Sequence, residues 1–445
     1  MSGTSYLLER AWLEGVVHDD VLVEIEHGRF ASVTPGGTGG TRVPGLTLPG
    51  LANCHSHAFH RALRGRTQRE RGTFWTWREQ MYAVAGRLDP DTYFALARAT
   101  YREMAAAGIT TVGEFHYLHH RPDGTPYDDP NAMGHALIAA AQEAGIRITL
   151  LDTCYLSSGF GKPVEGVQVR YSDGDAGAWA ARVSGLDQLD QRVGTGLDPR
   201  GGARIGAAIH SVRAVPADQF ATFREGVAGR PLHVHLSEQV AENDACLATY
   251  GVTPALLLHD AGLLGPTTSV VHATHLTGAD IQALGATESF ACFCPTTERD
   301  LGDGIGPSRA LQDAGARLTL GSDSHAVIDL FEEMRAVELD ERLATRRRGH
   351  WTAAELVAAA TATGHAGLGW DDVGEIKVGS RADLVTIDTA TTRTAGTGAD
   401  ENTAVFAAAA ADVTRVMVDG RVVVREGDRA EIGRELAAAI EKVWA

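Results

Sequence analysis

The chain has 445 residues, 44% hydrophobic and 22% charged, which is enough apolar side chain for a large core and argues against bulk disorder. Lys plus Arg number 40 against 57 Asp plus Glu, and the net charge of −17 excludes the cationic surface that nucleic acid or an anionic membrane would require. Histidine is overabundant at 18, more than proline and twice tyrosine; it is both the commonest metal ligand and the usual proton shuttle near neutral pH.

Taken in chain order, the first residues offer only Tyr6-Leu7-Leu8 before Glu9 and Arg10, too short an apolar core for a signal peptide. The longest apolar run, 404–411, is mostly alanine and far short of the about 20 residues of a membrane span. Five scattered cysteines (Cys54, Cys154, Cys246, Cys292, Cys294) suit a reducing cytoplasm rather than a disulfide framework. Residues 1–49 read as short strands, with Val21-Leu22-Val23-Glu24-Ile25 followed by a turn at His27-Gly28-Arg29. Eight strand-like runs then alternate with helical patterns: 48–54, 110–115, 146–153, 205–209, 232–236, 269–273, 289–293 and 317–321. The stretch 91–107 carries Phe94, Ala97, Tyr101 and Met104 on one face and stops at Gly108, and 330–344 repeats the pattern.

Strand–helix alternation repeated eight times predicts an α/β fold, a (β/α)8 TIM barrel. A doubly wound open sheet is the competing fold, because periodicity does not report closure. After residue 370 the helical pattern gives way to strand-like runs at 375–379, 383–388, 413–418 and 421–425, then a terminal helix at 430–443. Residues 1–49 and 372–445 are therefore expected to form one small β-sandwich-like domain flanking a catalytic barrel of residues 50–371.

The polar residues fall at the C-terminal ends of the strand runs, the face on which barrels build active sites. The first run ends at His55-Ser56-His57, the fifth holds His233-Val234-His235 with Glu238 following, the sixth ends at His272 and the eighth at Asp323. His55 and His57, two apart on a strand, project from one face. A His-x-His pair alone carries little signal, but four strand ends converging on three imidazoles and a carboxylate make a divalent-metal site. His55, His57, His235 and Asp323 are the expected ligands, with Zn²⁺ first and Fe²⁺ or Mn²⁺ as alternatives. His233 lies a layer deeper and is expected to pack inside the barrel. A bound ion makes water acidic near neutral pH, and Glu238 is placed to carry the proton, with Asp323 as ligand and proton acceptor.

These residues, in this order along the barrel, resemble the metal-dependent amidohydrolase superfamily, as does the flanking stretch from Gly374-Glu375-Ile376 to Ala382-Asp383-Leu384-Val385. The resemblance implies that His272 bonds the attacking water or the tetrahedral centre. A narrower likeness rests on Gly72-Thr73-Phe74-Trp75-Thr76-Trp77-Arg78-Glu79-Gln80-Met81-Tyr82, Glu114-Phe115-His116-Tyr117, His210-Ser211-Val212-Arg213-Ala214-Val215 and Leu301-Gly302-Asp303-Gly304-Ile305. It is similar to the superfamily branch that hydrolyses N-formimino-L-glutamate to N-formyl-L-glutamate and ammonia in histidine degradation. Carried over by position, Arg78, Tyr117, His210 and Arg213 would hold that small anionic substrate. Arg78, near Trp75 and Trp77, could equally stack on an aromatic face. One position departs from the family: Gln is usual three residues after the second histidine of the pair, and here it is His60, a further substrate-contact candidate. A dianionic substrate needs local cations, since the whole-chain charge repels it. Three other outcomes stay open: a relative acting on a ring amidine such as guanine or on a cyclic amide, release of formamide rather than ammonia, and a metal-binding scaffold without turnover. A homodimer is expected.

Overall fold

The computed structural model describes residues 4–68, 74–189, 202–227 and 229–445. Four strands open the chain: β1 (Thr4–Leu13), β2 (Val16–Glu26), β3 (Arg29–Thr34) and β4 (Thr41–Pro49). Eight follow in the middle: β5 (Leu51–Ser56), β6 (Ile109–His116), β7 (Arg147–Cys154), β8 (Ala203–Ile209), β9 (Leu232–Leu236), β10 (Thr268–His272), β11 (Phe290–Phe293) and β12 (Arg317–Leu320). Three close it: β13 (Leu384–Ile387), β14 (Val413–Val418) and β15 (Arg421–Arg425).

β5 to β12 form one sheet in sequential order, every pair parallel. A parallel bridge between Ser56 and Asp323 joins its two edges, and the Ser322 and Asp323 amides donate to the His55 carbonyl at 3.1 and 2.9 Å. A doubly wound sheet reverses its strand order midway and keeps two free edges; this one does neither, and it is a (β/α)8 barrel. The other sheet has the order β15-β14-β13-β4-β1-β2-β3 and draws strands from both chain ends.

The apolar run 48–54 proves to be two strands rather than one. Gly50 sits at the break, its amide donating to the Asp383 carbonyl at 3.0 Å, and a Cβ there would collide with Thr110. The run 375–379 is a turn, not a strand: Gly374 and Gly379 both have φ near +90° (92 and 90), where extended pairing ends. The helix Pro90–Ala106 starts at an Asp89–Thr92 capping box and ends before Gly108 at φ 95. The two sheets are joined by a buried ion pair in which Arg147 at the start of β7 meets Asp383 at 2.5 Å. All five cysteines are buried and free. Among the described residues, no helix is long and apolar enough to cross a membrane.

Candidate active site

The strand ends bring four side chains together at the top of the barrel. His55 ends its strand fully buried, His57 follows it, His235 lies in β9, and Asp323 leaves β12 with φ 38. Their donor atoms all lie within 4.8 Å of one another. Asp323 Oδ1 is 3.3 Å from both His55 Nε2 and His57 Nε2. The His57 Nδ1–H donates to the Phe115 carbonyl at 3.1 Å and the His235 Nδ1–H to the His210 carbonyl at 2.8 Å, so both rings turn an Nε2 lone pair inward.

His235 Nε2 and His55 Nε2 then face each other at 3.0 Å. His235 Nε2 is the acceptor of that pair, and His55, whose Nδ1 has no hydrogen-bond partner, either donates to it from Nε2 or shares a cation with it. Burial lowers the His55 imidazole to about 3, and burial together with the neighbouring imidazoles lowers His235 well below its ordinary value, so both rings are neutral and able to act as ligands. Burial alone would raise Asp323, but the adjacent His55 and His57 rings hold it well below the usual carboxylate range. Neutral His55 and His235 and an ionised Asp323 are in the protonation states a divalent ion requires, and with His57 Nε2 beside them the four residues fit one.

Two further groups face this cluster. His272 ends β10 with φ 70; its Nε2 is 3.9 Å from Glu238 Oε1 and 3.9 Å from Asp323 Oδ2. Burial works against a charge on His272 but is outweighed by Glu238, Glu298 and Asp323, which together raise its pKa well above the ordinary value. Burial raises the Glu238 carboxyl, against the pull of His272. His233 sits a layer below, buried, its Nε2 3.4 Å from the Gly367 carbonyl and its pKa lowered by burial to about 4.

A single cavity joins His57, His235, Asp323, Glu238 and His272 to Arg78, Tyr117, His210, Arg213 and His60. Arg213 donates from Nε to Glu242 at 2.6 Å, and Arg78 donates from Nε to the Tyr82 hydroxyl at 2.7 Å while lying 5.1 Å over the Tyr82 ring. Among the described side chains, the Tyr82 ring lies under Arg78. Gly72, Thr73 and the side chains of Phe74 and Trp75 lie outside the described residues. His60 Nε2 is 3.2 Å from the Tyr117 hydroxyl, its Nδ1 is buried without a hydrogen-bond partner, and burial lowers its pKa well below the ordinary value. His210 packs against Tyr155 at 4.7 Å between ring centroids and is likewise lowered, by burial and then by Arg213.

With this geometry in hand, the chain was compared with known proteins. The sequence pattern of the Amidohydrolase family matches residues 46–423. The chain is 36% identical to the formimidoylglutamate deiminase of Pseudomonas aeruginosa, over 98% of this chain and 96% of that protein. The chain belongs to the amidohydrolase family. The solved structure of an amidohydrolase from Brucella melitensis superposes with a TM-score of 0.90 at 31% identity, covering 100% of both chains. The 5-methylthioadenosine/S-adenosylhomocysteine deaminase of Natronomonas pharaonis is 28% identical over 92% of this chain and 88% of that protein.

The third and seventh barrel strands of this amidohydrolase also lead into residues near the cavity. Tyr155, just past β7, lines it. Glu298, in the helix Pro295–Leu301 after β11, accepts from His272 Nδ1 at 3.4 Å. Applying the same rule to every strand end would have found both. Asp303 was visible only as part of a motif; it accepts from the Gln239 amide, and burial, with Glu238 next in effect, raises it to about 8.

A second cluster, His116, His119 and Asp152, also has donor atoms within 4.8 Å of one another. It does not fit a metal ion. Arg182 holds both Asp152 oxygens, at 2.8 and 2.9 Å, and the Trp179 indole donates to one of them at 3.1 Å. His119 Nε2 donates to the Thr153 carbonyl at 2.9 Å. The carboxylate is already neutralised, and a divalent ion would face the guanidinium.

Proposed function

We propose that this amidohydrolase is a metal-dependent deiminase that converts N-formimino-L-glutamate and water to N-formyl-L-glutamate and ammonia, the step assigned to histidine degradation. The observation that carries the reading is one cavity that joins a His₃Asp cluster and the Glu238–His272 pair to two guanidiniums. The printed activity of the Pseudomonas aeruginosa relative supports it.

His55, His57, His235 and Asp323 would hold one divalent ion, and three neutral imidazoles with a carboxylate suit Zn²⁺, with Fe²⁺ or Mn²⁺ as alternatives. When bound, the ion supplies the positive charge that makes water acidic near neutral pH. The water oxygen bonds to the formimino carbon while Asp323 and Glu238 take up its protons. His272 Nε2–H donates to the oxygen on the tetrahedral carbon. Glu238 and Asp323 return these protons to the terminal nitrogen, the carbon–nitrogen bond breaks with its electron pair on that nitrogen, and ammonia leaves. Both water protons end on ammonia and the water oxygen becomes the formyl oxygen, so the step balances.

Arg78, Arg213, Tyr117 and His210 fix the substrate carboxylates, which converts binding into orientation. His60 acts there as a neutral group: burial keeps the ring uncharged, so it does not oppose a cationic formimino group, and Tyr117 already engages one of its nitrogens. The protein is read as a cytoplasmic homodimer. Its free cysteines suit that compartment, and Leu339 and Leu343, one turn apart and exposed on the helix Leu330–Thr345, supply apolar surface for a subunit contact.

A second reading rests on Trp77, Tyr82, Tyr155 and Tyr171, which line the same cavity and could stack a purine-like ring. Ammonia release from N-formimino-L-glutamate, measured beside guanine on metal-loaded protein, separates the two. Formamide as product overturns the deiminase reading, and metal binding without turnover of either compound points to a scaffold.

A further inference from the structure

The relay described above leaves one of its members unexplained, for nothing in it says what sets the His272 ring. His272 ends β10 in the left-handed region at φ 70, where an ordinary strand residue would not place its side chain. An imidazole held at one nitrogen alone is free to flip and to exchange tautomers. In this fold its far edge meets a carboxylate: His272 Nδ1 and Glu298 Oε1 are 3.4 Å apart, both side chains buried.

We infer that Glu298 is a positioning residue that accepts the Nδ1–H of His272 and so holds the ring with its Nε2–H aimed at the oxygen on the reacting carbon. Glu298 is well anchored for this. The same oxygen accepts the Cys294 amide at 2.9 Å, and the Glu298 carbonyl accepts the Asp303 amide at 2.9 Å. The preceding residue, Thr297, receives the Ser324 amide at 3.2 Å, tying the helix to the segment that carries Asp323. On the other ring edge, Nε2 is 3.9 Å from both Glu238 and Asp323. A carboxylate on Nδ1 locks the ring plane and stabilises the positive charge of an imidazolium that donates from Nε2. The simpler role, a carboxylate satisfying amides at the start of a short helix, would need only the Cys294 contact.

The inference rests on the proposed deiminase reading, and the experiment separates the two. E298Q keeps an acceptor for the Cys294 amide and removes the charge. On metal-loaded protein, E298Q is expected to lower kcat by about 10- to 100-fold with KM changed less than about threefold and metal content unchanged. H272N should cost at least as much, and the E298Q/H272N double variant should be no slower than H272N by more than about threefold, because a residue acting through His272 has nothing left to act on. Losses that multiply in the double variant overturn the inference and leave the deiminase reading intact. If H272N itself turns over N-formimino-L-glutamate at the native rate, it is the deiminase mechanism that fails. A second measurement does not depend on the variants' activity. In ¹⁵N-histidine-labelled native protein, with the H272N spectrum identifying the ring, the His272 Nδ1 must appear protonated; an unprotonated Nδ1 refutes the inference.

Discussion

His365 is buried in the helix Ala362–Gly367, its Nδ1–H donating to the Thr361 carbonyl at 2.8 Å, and burial, with Arg147 next in effect, lowers its pKa from 6.5 to about 3. It touches none of the candidate metal ligands, so its titration can be read separately from theirs. The unfolded chain takes up a proton on this histidine near pH 6.5 and the folded chain does not until about pH 3. The unfolded state therefore binds more protons across that window, and stability must fall as pH falls through it. At about 1.4 kcal/mol per pKa unit, roughly 2 kcal/mol is lost from this one residue between pH 8 and pH 5. His365→Gln keeps a neutral donor and removes the titration. Whatever its thermal midpoint relative to the native protein at pH 8, the variant should gain on the native protein by the equivalent of about 2 kcal/mol on going to pH 5. Scanning calorimetry of both proteins at the two pH values is the assay, and taking the difference cancels the contributions of every other histidine. Melting curves that shift in parallel would refute the reasoning, since they would mean that His365 titrates alike in the folded and unfolded chain.

Three further outcomes follow from the site. Glu238→Gln should retain native metal content and lose at least about 100-fold in kcat, measured by ammonia release, because it preserves shape and removes the proton carrier. Arg213→Met should raise KM for N-formimino-L-glutamate at least about tenfold; since it also strands Glu242, whose buried carboxylate accepts from Arg213 at 2.6 Å, its melting temperature should fall as well. Removing the ion with a chelator should abolish turnover and lower the melting temperature, because an ion held by His55, His57, His235 and Asp323 binds the folded chain and not the unfolded one; unchanged stability in the metal-free protein would argue against these four residues as the ligand set.

How much of this was legible in the sequence depended on whether a residue's job was local. His55, His57, His235, His272 and Asp323 stood out because each closes an apolar run, and the end of a run is visible without knowing the fold. The helix Pro90–Ala106 was readable for the same reason, with a stop signal at Gly108. The break at Gly50 was hidden inside an unbroken apolar run, since what divides it is the approach of Thr110 and Asp383, distant in sequence. The run 375–379 alternates like a strand, but flanking glycines at positive φ turn it. Partners across the barrel were also out of reach: Glu242 holds Arg213 across 29 residues and Glu298 holds His272 across 26. Barrel closure belongs with these, because the bridge from Ser56 to Asp323 is a contact between the two ends of the sheet.

The formal charge of −17 poses a difficulty for a dianionic substrate, and the cavity resolves much of it. That sum counts every carboxyl as ionised and every histidine as neutral. Around the cavity both assumptions err in the same direction. Burial and neighbouring carboxylates raise Asp303 to about 8, so at neutral pH it is mostly uncharged. Burial raises Glu114, beneath the His55-Ser56-His57 strand end, to about 7. His272 is raised far enough to carry a charge that the sum omits. The acidic residues that do stay ionised at exposed positions act through solvent, where their field decays over about 8–10 Å. Arg213 meets the cavity with its Nε bound to Glu242, while the hydroxyl of Tyr117 adds a neutral donor. The field an approaching carboxylate meets is therefore set by a few groups whose protonation burial has altered, and it is far less negative than the composition implies. Low ionic strength should strengthen the repulsion by the outer surface and leave the inner contacts unchanged, so kcat/KM for the dianion should rise with added salt before ion competition reverses it. A steady fall from the lowest salt would mean that cations at the cavity mouth dominate even the long-range field.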